Sequence, residues 1–382
     1  MNAGKQGIEG ILAEKKLDKD SQRWKRVLDG QRAADVEAAL EEAPGSYRFE
    51  KLAALVSPAG EEYLEQTAQA AQELTVRRFG RTIQLYAPLY LSNYCVNNCV
   101  YCGYNSSSSS SRIRLTIEQA LADADIIARE GFRHLLLVSG EDRDFITVEY
   151  LRELAGRLRE KFCSISMEIY AMKESEYAEV FAAGIEGVTL YQETYDRGVY
   201  SRYHRAGPKS DYDNRLTVHD RTASAGMRRL GVGVLLGLGE WRSETLALAE
   251  HANYLMKRYW KSQVSFSFPR LRPASNVIYH FDNPVSDKNL VQMILALRLC
   301  FADAPLVLST RERAELRDRL VCLGITSISA GSKTNPGGYS GENETLEQFQ
   351  IDDRRTAGQV AQMLRSKGVE AVWKDWDSAF TG

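Results

Sequence analysis

Cys95, Cys99 and Cys102 lie in one short run, Cys95-Val-Asn-Asn-Cys99-Val-Tyr101-Cys102. The thiolate is the metal-binding form of cysteine, and three thiolates on one tight loop can each hold one iron of a cubane iron–sulfur cluster. No cysteine or histidine occurs between Cys102 and His134. A structural zinc site is normally closed by four ligands, so a set of three leaves one metal position open to a small molecule. A zinc site completed from a distant part of the chain is the competing reading. Cys163, Cys300 and Cys322 are scattered along the sequence and read as small buried hydrophobes.

A metal-binding loop needs a rigid scaffold, and the chain is long enough to build one. It has 382 residues, 44% hydrophobic and 26% charged, with a formal net charge of -2. That balance describes a globular protein and gives no electrostatic reason to expect nucleic acid or an anionic membrane as partner. The apolar runs at 134–138 and 232–239 are far shorter than the roughly 18 residues a membrane span needs. The first 30 residues are charged and lack a signal-peptide core. A cytoplasmic protein is expected.

Helical spacing dominates residues 1–80 and breaks at Gly80. From there, short β-branched or apolar runs alternate with amphipathic stretches. The strands are expected at 86–92, 134–139, 165–170, 187–192, 231–238, 263–268, 306–310 and 324–329. Between the first two, Thr116 and Gln119 predict a capping box opening a helix over 116–130. Eight βα units over about 250 residues fit an α/β fold of the TIM-type (β/α)8 barrel class. A doubly wound open sheet is the alternative, because periodicity does not report closure. The expected organisation is an N-terminal helical extension (1–80), a barrel (81–332) and a C-terminal tail (333–382) packing on the barrel. The tail is expected to hold one helix, 357–367, and a last short strand. The serine run 106–111 reads as a mobile loop. The cysteine loop directly follows the first strand, which in a barrel is the catalytic face.

The pattern C-x3-C-x-aromatic-C resembles the signature of the radical S-adenosylmethionine (SAM) superfamily. The resemblance implies a [4Fe-4S] cluster whose open iron chelates SAM. Over residues 45 to the C-terminus the chain is similar to the 2-iminoacetate synthase family, the tyrosine lyases of thiamine-thiazole biosynthesis. The segments carrying this are LYLSN-CVNNCVYCGY, LLLVSGE, VTLYQETY, YHRAGPKSDYDNRL, SFPRLRP, LSTRE, SKTNPGGY and WKDWDS. The resemblance implies radical cleavage of the tyrosine Cα–Cβ bond, giving 2-iminoacetate (dehydroglycine) and p-cresol, with 5′-deoxyadenosine and methionine as co-products. It also implies thiazole synthase (ThiG) as acceptor of the product, and reduced flavodoxin or ferredoxin as electron donor. The tyrosine lyase of hydrogenase maturation carries a second cluster on added C-terminal cysteines, whereas no cysteine follows Cys322 here. A lyase acting on tryptophan is the nearer alternative, and a non-catalytic iron–sulfur or zinc protein the more distant one. The family has a short polar linker where this chain carries six serines.

Roles follow from the resemblance, each beside a plainer reading. Ser139-Gly140-Glu141 stands where the superfamily binds the SAM amino group, and Tyr101 precedes the last cluster cysteine. Glu193 falls where the ribose is contacted, with Arg215 at the SAM carboxylate or holding Glu193. Gly233 and Gly237 fit the strand where adenine approaches the backbone. Arg311, assisted by Ser329 and Ser309, is expected to anchor the substrate carboxylate; pairing with Glu312 is the alternative. Glu168 and Tyr170 share one face of the third strand and are the catalytic candidates. His204 is expected to line the cavity. Arg270 ends the sixth strand and is grouped with the substrate residues, and Tyr104 is a weaker candidate for the phenol pocket. His134, His219, His251 and His280 read as ordinary surface or packed histidines.

Overall fold

In the computed structural model, residues 6–274, 277, 282–341 and 347–374 are described. His280 and residues 375–382, which include most of the WKDWDS run, lie outside them. The helices α1 (Ile8–Lys15), α2 (Ser21–Asp29), α3 (Ala33–Glu41), α4 (Phe49–Val56) and α5 (Leu64–Phe79) precede the first strand, β1 (Thr82–Ser92). Gly80, at φ +68°, ends α5 where the sequence predicts the break. There follow α6 (Ile117–Arg129), β2 (His134–Ser139), α7 (Val148–Leu158), β3 (Ser164–Glu168), α8 (Glu174–Ala182) and β4 (Gly187–Thr189). Next come α9 (Arg197–Tyr203), α10 (Tyr212–Leu216), α11 (Val218–Ser224), β5 (Arg229–Gly233), α12 (Trp241–Arg258) and β6 (Gln263–Ser267). The chain continues through α13 (Asp287–Cys300), β7 (Leu306–Leu308), α14 (Ala314–Leu320), β8 (Ser327–Ser329), α15 (Ala357–Ser366) and β9 (Glu370–Val372).

Strands β2 to β8 pair in order, and β1 pairs with both β8 and β2, so the parallel sheet closes on itself. The fold is the expected (β/α)8 barrel, and the open-sheet alternative is excluded. β9 adds a ninth strand outside the ring by pairing with the start of β1. The capping box at Thr116 and Gln119 is formed and opens α6. No helix among the described residues is long and apolar enough to cross a membrane.

Alternation within the strands decides where the core lies. Leu85, Leu135, Leu137, Ile165, Val188, Leu230, Val264, Leu306 and Ile328 are buried in one core with the surrounding helices. The opposite set, including Gln84, Ser166, Thr189, Gly231, Ser265 and Ser327, lines a cavity of about 750 Å³ inside the ring. TIM barrels usually fill that axis with bulky branched side chains. Here short polar residues share the axis with Tyr86, Leu136, Tyr191 and Val307, and space remains between them.

Several strands stop earlier than the sequence suggests: β3 at Glu168, β4 at Thr189 and β5 at Gly233. Past these ends the chain pairs only through isolated bridges, Glu193 with Val234 and Leu236 with Arg270. The freed segments carry the site. Backbone groups of the serine run, at Ser106 and Ser108, are hydrogen-bonded to neighbouring segments. Ser106 N–H donates to the Asn97 carbonyl (2.8 Å), and the Arg112 guanidinium donates to the carbonyls of Tyr104, Asn105 and Ser108.

Candidate active site

A cavity of about 940 Å³ opens at the carboxyl ends of the strands, and Cys95, Cys99 and Cys102 all line it. The loop that carries them leaves β1 at a register irregularity between Tyr90 and Ser92. Ser92 Oγ then donates to Asp142 (3.0 Å), whose two carboxylate oxygens take a bidentate pair from Arg114 at 2.7 Å. This fixes the start of the cysteine loop to the end of β2. Across the same junction, Glu141 N–H points at Cys95 Sγ (3.4 Å) and Val96 N–H donates to the Glu141 carbonyl (3.1 Å).

The sequence run Ser139-Gly140-Glu141 therefore lies against the cysteine loop, and all three residues line the cavity. A Cβ on Gly140 would sit 2.1 Å from the Tyr94 carbonyl, so glycine is required for that approach. The Glu141 carboxylate accepts from Asn97 Nδ2 (2.8 Å) and from Arg143 Nε (3.2 Å). Asn97 Oδ1 in turn accepts from Lys209 N–H (2.8 Å). Neither Asn97 nor Lys209 is among the residues singled out from the sequence, although both lie inside segments that carry the resemblance.

Glu193 also lines the cavity, and its backbone is unusual. At φ +71° it occupies the left-handed region, which costs a non-glycine residue on the order of 1–3 kcal/mol. Its carboxylate takes Lys209 Nζ at 2.6 Å and Arg215 at 3.7 Å. Burial alone would raise this carboxyl; Lys209 and Arg215 outweigh it and hold the group below the usual carboxylate range. Arg215 Nε is fixed on the Tyr191 carbonyl at 2.8 Å. Leu235 lines the cavity between Gly233 and Gly237, which themselves lie behind it. A Cβ on Gly233 would meet Tyr191 at 2.7 Å, and Gly237 has φ +119° with Leu271 at 2.8 Å.

Glu168, at the end of β3, faces the same cavity, but burial dominates there. It raises the carboxyl to about 7, with Arg311 only partly offsetting it. A second cavity of about 580 Å³ adjoins the first across Val138, Glu168, Tyr191, Pro269 and Arg311, and contains Ser309 and Ser329 as well. Ser329 Oγ accepts from Thr310 N–H at 3.1 Å, and Ser309 Oγ from Arg311 N–H at 3.4 Å. The Arg311 guanidinium lies 3.3 Å from the Phe349 ring centroid. Glu312, the neighbour that could have neutralised it, is taken by Arg270 and Arg272.

Two expectations change. Arg270 does not line the cavity: its guanidinium is committed to Glu312, Asp287 and the Val285 carbonyl. His204 is buried behind the wall, with Nδ1 donating to the Tyr200 carbonyl and Nε2 accepting from the Tyr101 hydroxyl, each at 2.9 Å. Burial and Lys209 push it down to about 3, so the imidazole is neutral. Its part is to orient the cavity-lining Tyr101. Tyr104 lines the cavity, and its hydroxyl donates to the Thr334 carbonyl at 2.6 Å. Tyr170 lines the cavity with Arg143 over its ring (4.3 Å), and its hydroxyl donates to the Ile146 carbonyl at 2.5 Å. His134, His219 and His251 are buried and packed.

The tail adds residues that no motif signals. Asp352 and Asp353 N–H donate to the Thr310 carbonyl, and Gln350 N–H to that of Pro273, drawing residues 348–353 across the barrel mouth. Gln348 Oε1 accepts from the Tyr90 hydroxyl (2.9 Å), and its side chain also bonds to Cys102.

The chain matches the Radical SAM superfamily model over residues 89–252, and the Biotin and Thiamin Synthesis associated domain over 267–370. It is 44% identical over 370 residues to 2-iminoacetate synthase of Escherichia coli (strain K12), spanning 94% of this chain and 97% of that protein. The chain belongs to the 2-iminoacetate synthase family. The enzyme of that name from Salmonella typhimurium is 42% identical over 368 residues, covering 93% and 96% of the two chains. Among solved structures, the FeFe-hydrogenase maturase HydG from Carboxydothermus hydrogenoformans superimposes with a TM-score of 0.88. It is 29% identical, with 97% of this chain and 86% of that chain covered.

As a member of this family the protein is a radical SAM lyase, which uses a [4Fe-4S] cluster and SAM. The residues present fit both. Three thiols line one end of the cavity, no histidine or fourth cysteine joins them among the described lining residues, and no three metal-ligating side chains there converge on a single ion. Without metal, burial pushes the Cys99 thiol up to about 12 and raises that of Cys102 as well. Coordinated iron would hold them as thiolates, and the Asn97 amide 3.6 Å from Cys95 Sγ is a donor suited to such a sulfur.

Proposed function

We propose that the protein cleaves the Cα–Cβ bond of L-tyrosine to 2-iminoacetate and p-cresol, as a step toward the thiazole of thiamine. When bound, the cluster and SAM supply a 5′-deoxyadenosyl radical that takes a hydrogen atom from the substrate amino group, with 5′-deoxyadenosine and methionine as co-products. In this reading Cys95, Cys99 and Cys102 ligate three irons. Glu141, oriented by Asn97 and Arg143, accepts the SAM ammonium beside Ser139 and Gly140. Glu193 accepts from the ribose hydroxyls, Arg215 and Lys209 keep it ionised, and Tyr101 closes the wall next to the cluster. Gly233 and Gly237 let the strand segment carrying Leu235 lie flat against the adenine.

Arg311 offers its planar donor fork to the tyrosine carboxylate, with Ser309 and Ser329 beside it. Glu168 accepts a proton from the substrate, and Tyr170, clamped by Arg143, holds the wall next to it. The observation that supports the reading best is the continuity of the two cavities: cysteines at one end, Arg311 and Glu168 at the other, with no layer of core between them. The product passes to thiazole synthase (ThiG), in the cytoplasm where the thiols stay reduced. A reduced flavodoxin or ferredoxin delivers two electrons, one for SAM cleavage and one that, with a proton, takes the 4-hydroxybenzyl fragment to p-cresol.

Anaerobic reconstitution followed by incubation with SAM, a reductant and tyrosine is expected to yield p-cresol, glyoxylate from hydrolysed 2-iminoacetate, and 5′-deoxyadenosine. Tryptophan in place of tyrosine is expected to give no indole acid. An indole acid without p-cresol would replace the substrate assignment.

A further inference from the structure

Glu244 is buried in the first turn of α12 and touches no part of the cavity. Its carboxylate faces the three residues that follow Glu193. Oε1 accepts from the Thr194 hydroxyl, Oε2 accepts from Tyr195 N–H at 2.7 Å, and Asp196 N–H also bonds to the group. Room for it is specific: a Cβ on Gly239 would lie 2.3 Å from Oε1. The Glu193 carbonyl itself accepts from Leu235 N–H at 2.8 Å, and on the upstream side the Tyr191 carbonyl accepts from Arg215 Nε at 2.8 Å. The turn at Glu193 is thus held by bonds before and after it, which favours keeping its strained φ of +71°.

We propose that Glu244 is a positioning residue: it holds residues 194–196 so that Glu193 keeps its left-handed backbone and presents its carboxylate beside Lys209. This rests on Glu193 being a SAM contact, and it adds a residue on another element through which SAM affinity is set. Replacing one carboxylate oxygen by an amide NH2 sets a donor against the donors of residues 194–196 and leaves at least one of them buried without a partner, and the turn relaxes toward the favoured φ below zero. Glu193 then swings off Lys209 while the Arg311 side of the site is left as it was. Burial has raised the Glu244 carboxyl to about 7 despite its donors, so the group sits there at an electrostatic cost that mere packing would not require.

The test is equilibrium dialysis of SAM against reconstituted, oxidised protein, which does not turn over, together with KM for SAM and for tyrosine. Glu244→Gln is expected to weaken SAM binding tenfold or more and leave KM for tyrosine within twofold. If that variant does not fold, Thr194→Val is expected to weaken SAM several-fold, and Thr194→Ser, which keeps the hydroxyl, to restore it. Parallel losses for SAM and tyrosine, or unchanged SAM binding in Glu244→Gln, would overturn the proposal. Glu193→Gln separates the two layers. If it leaves SAM binding intact, the ribose reading itself fails; if it weakens SAM while Glu244→Gln does not, only the positioning role fails.

Discussion

Glu193 and Glu168 are two carboxylates in one cavity wall, and they are tuned in opposite directions. Glu193 meets a lysine at 2.6 Å and an arginine at 3.7 Å and is held ionised. Glu168 has no cation within ion-pairing distance among the described residues, and burial lifts it to about 7. The same split runs through the whole mouth. The side toward the cysteines is pre-wired, with Asn97, Glu141, Arg143, Lys209 and Glu193 already bonded to one another. The side toward β7 and β8 holds a guanidinium stacked on Phe349 and a carboxyl poised near neutrality. A cofactor that binds in every cycle suits the first arrangement; proton transfer with a bound substrate suits the second.

The largest effect that sharpens this contrast is at the cysteines. Cys99→Ala is expected to lose iron and sulfide on chemical analysis and to form no detectable 5′-deoxyadenosine. Full iron retention would break the cofactor half of the comparison. Arg311→Ala comes next: iron content should match wild type while tyrosine turnover falls about a hundredfold or more, because misplacing the substrate by about an ångström is that costly. Turnover at the wild-type rate would remove the substrate anchor.

Glu168 makes a signed prediction. Its carboxyl is neutral below about 7 and ionised above it, so a step that needs the anion speeds up as pH rises through that value. A kcat/KM profile for tyrosine should show this limb, and Glu168→Gln should flatten it. The smallest effect on chemistry lies in the tail. Arg317 and Asp353 form an ion pair, each 1% exposed, that pins residues 348–353 over β8. Leaving one charge unpaired, as in Asp353→Ala, is expected to cost about 3–5 kcal/mol in urea denaturation, with iron loading intact in the folded fraction.

The two halves also differ in how far they could be read from sequence. The cofactor side is built from contiguous runs, so cysteine spacing and the family resemblance at Ser139-Gly140-Glu141 and Glu193 pointed to one place, and the periodicity gave the strands that carry them. The barrel was legible because alternation reports burial; its closure was not, since that depends on β1 meeting β8. Gln348 and Phe349 could not be read, because only the backbone bonds of residues 350–353 to Pro273 and Thr310 bring them over the mouth. Arg270 was misread for a related reason. Nothing local to it announces that Glu312 and Asp287, far along the chain, take its charge. Lys209 and Asn97 were in plain view, but their importance comes from pairing with Glu193 and Glu141 across the loop.

The central claim is that three cysteines leave one iron free to bind SAM. The most direct measurement is the electron paramagnetic resonance spectrum of the reduced, reconstituted cluster with and without SAM. The open site predicts a clear change in the g values on adding SAM, lost in Cys99→Ala along with the cluster signal. Superimposable spectra at saturating SAM, from a protein with a fully reduced four-iron cluster, would contradict it.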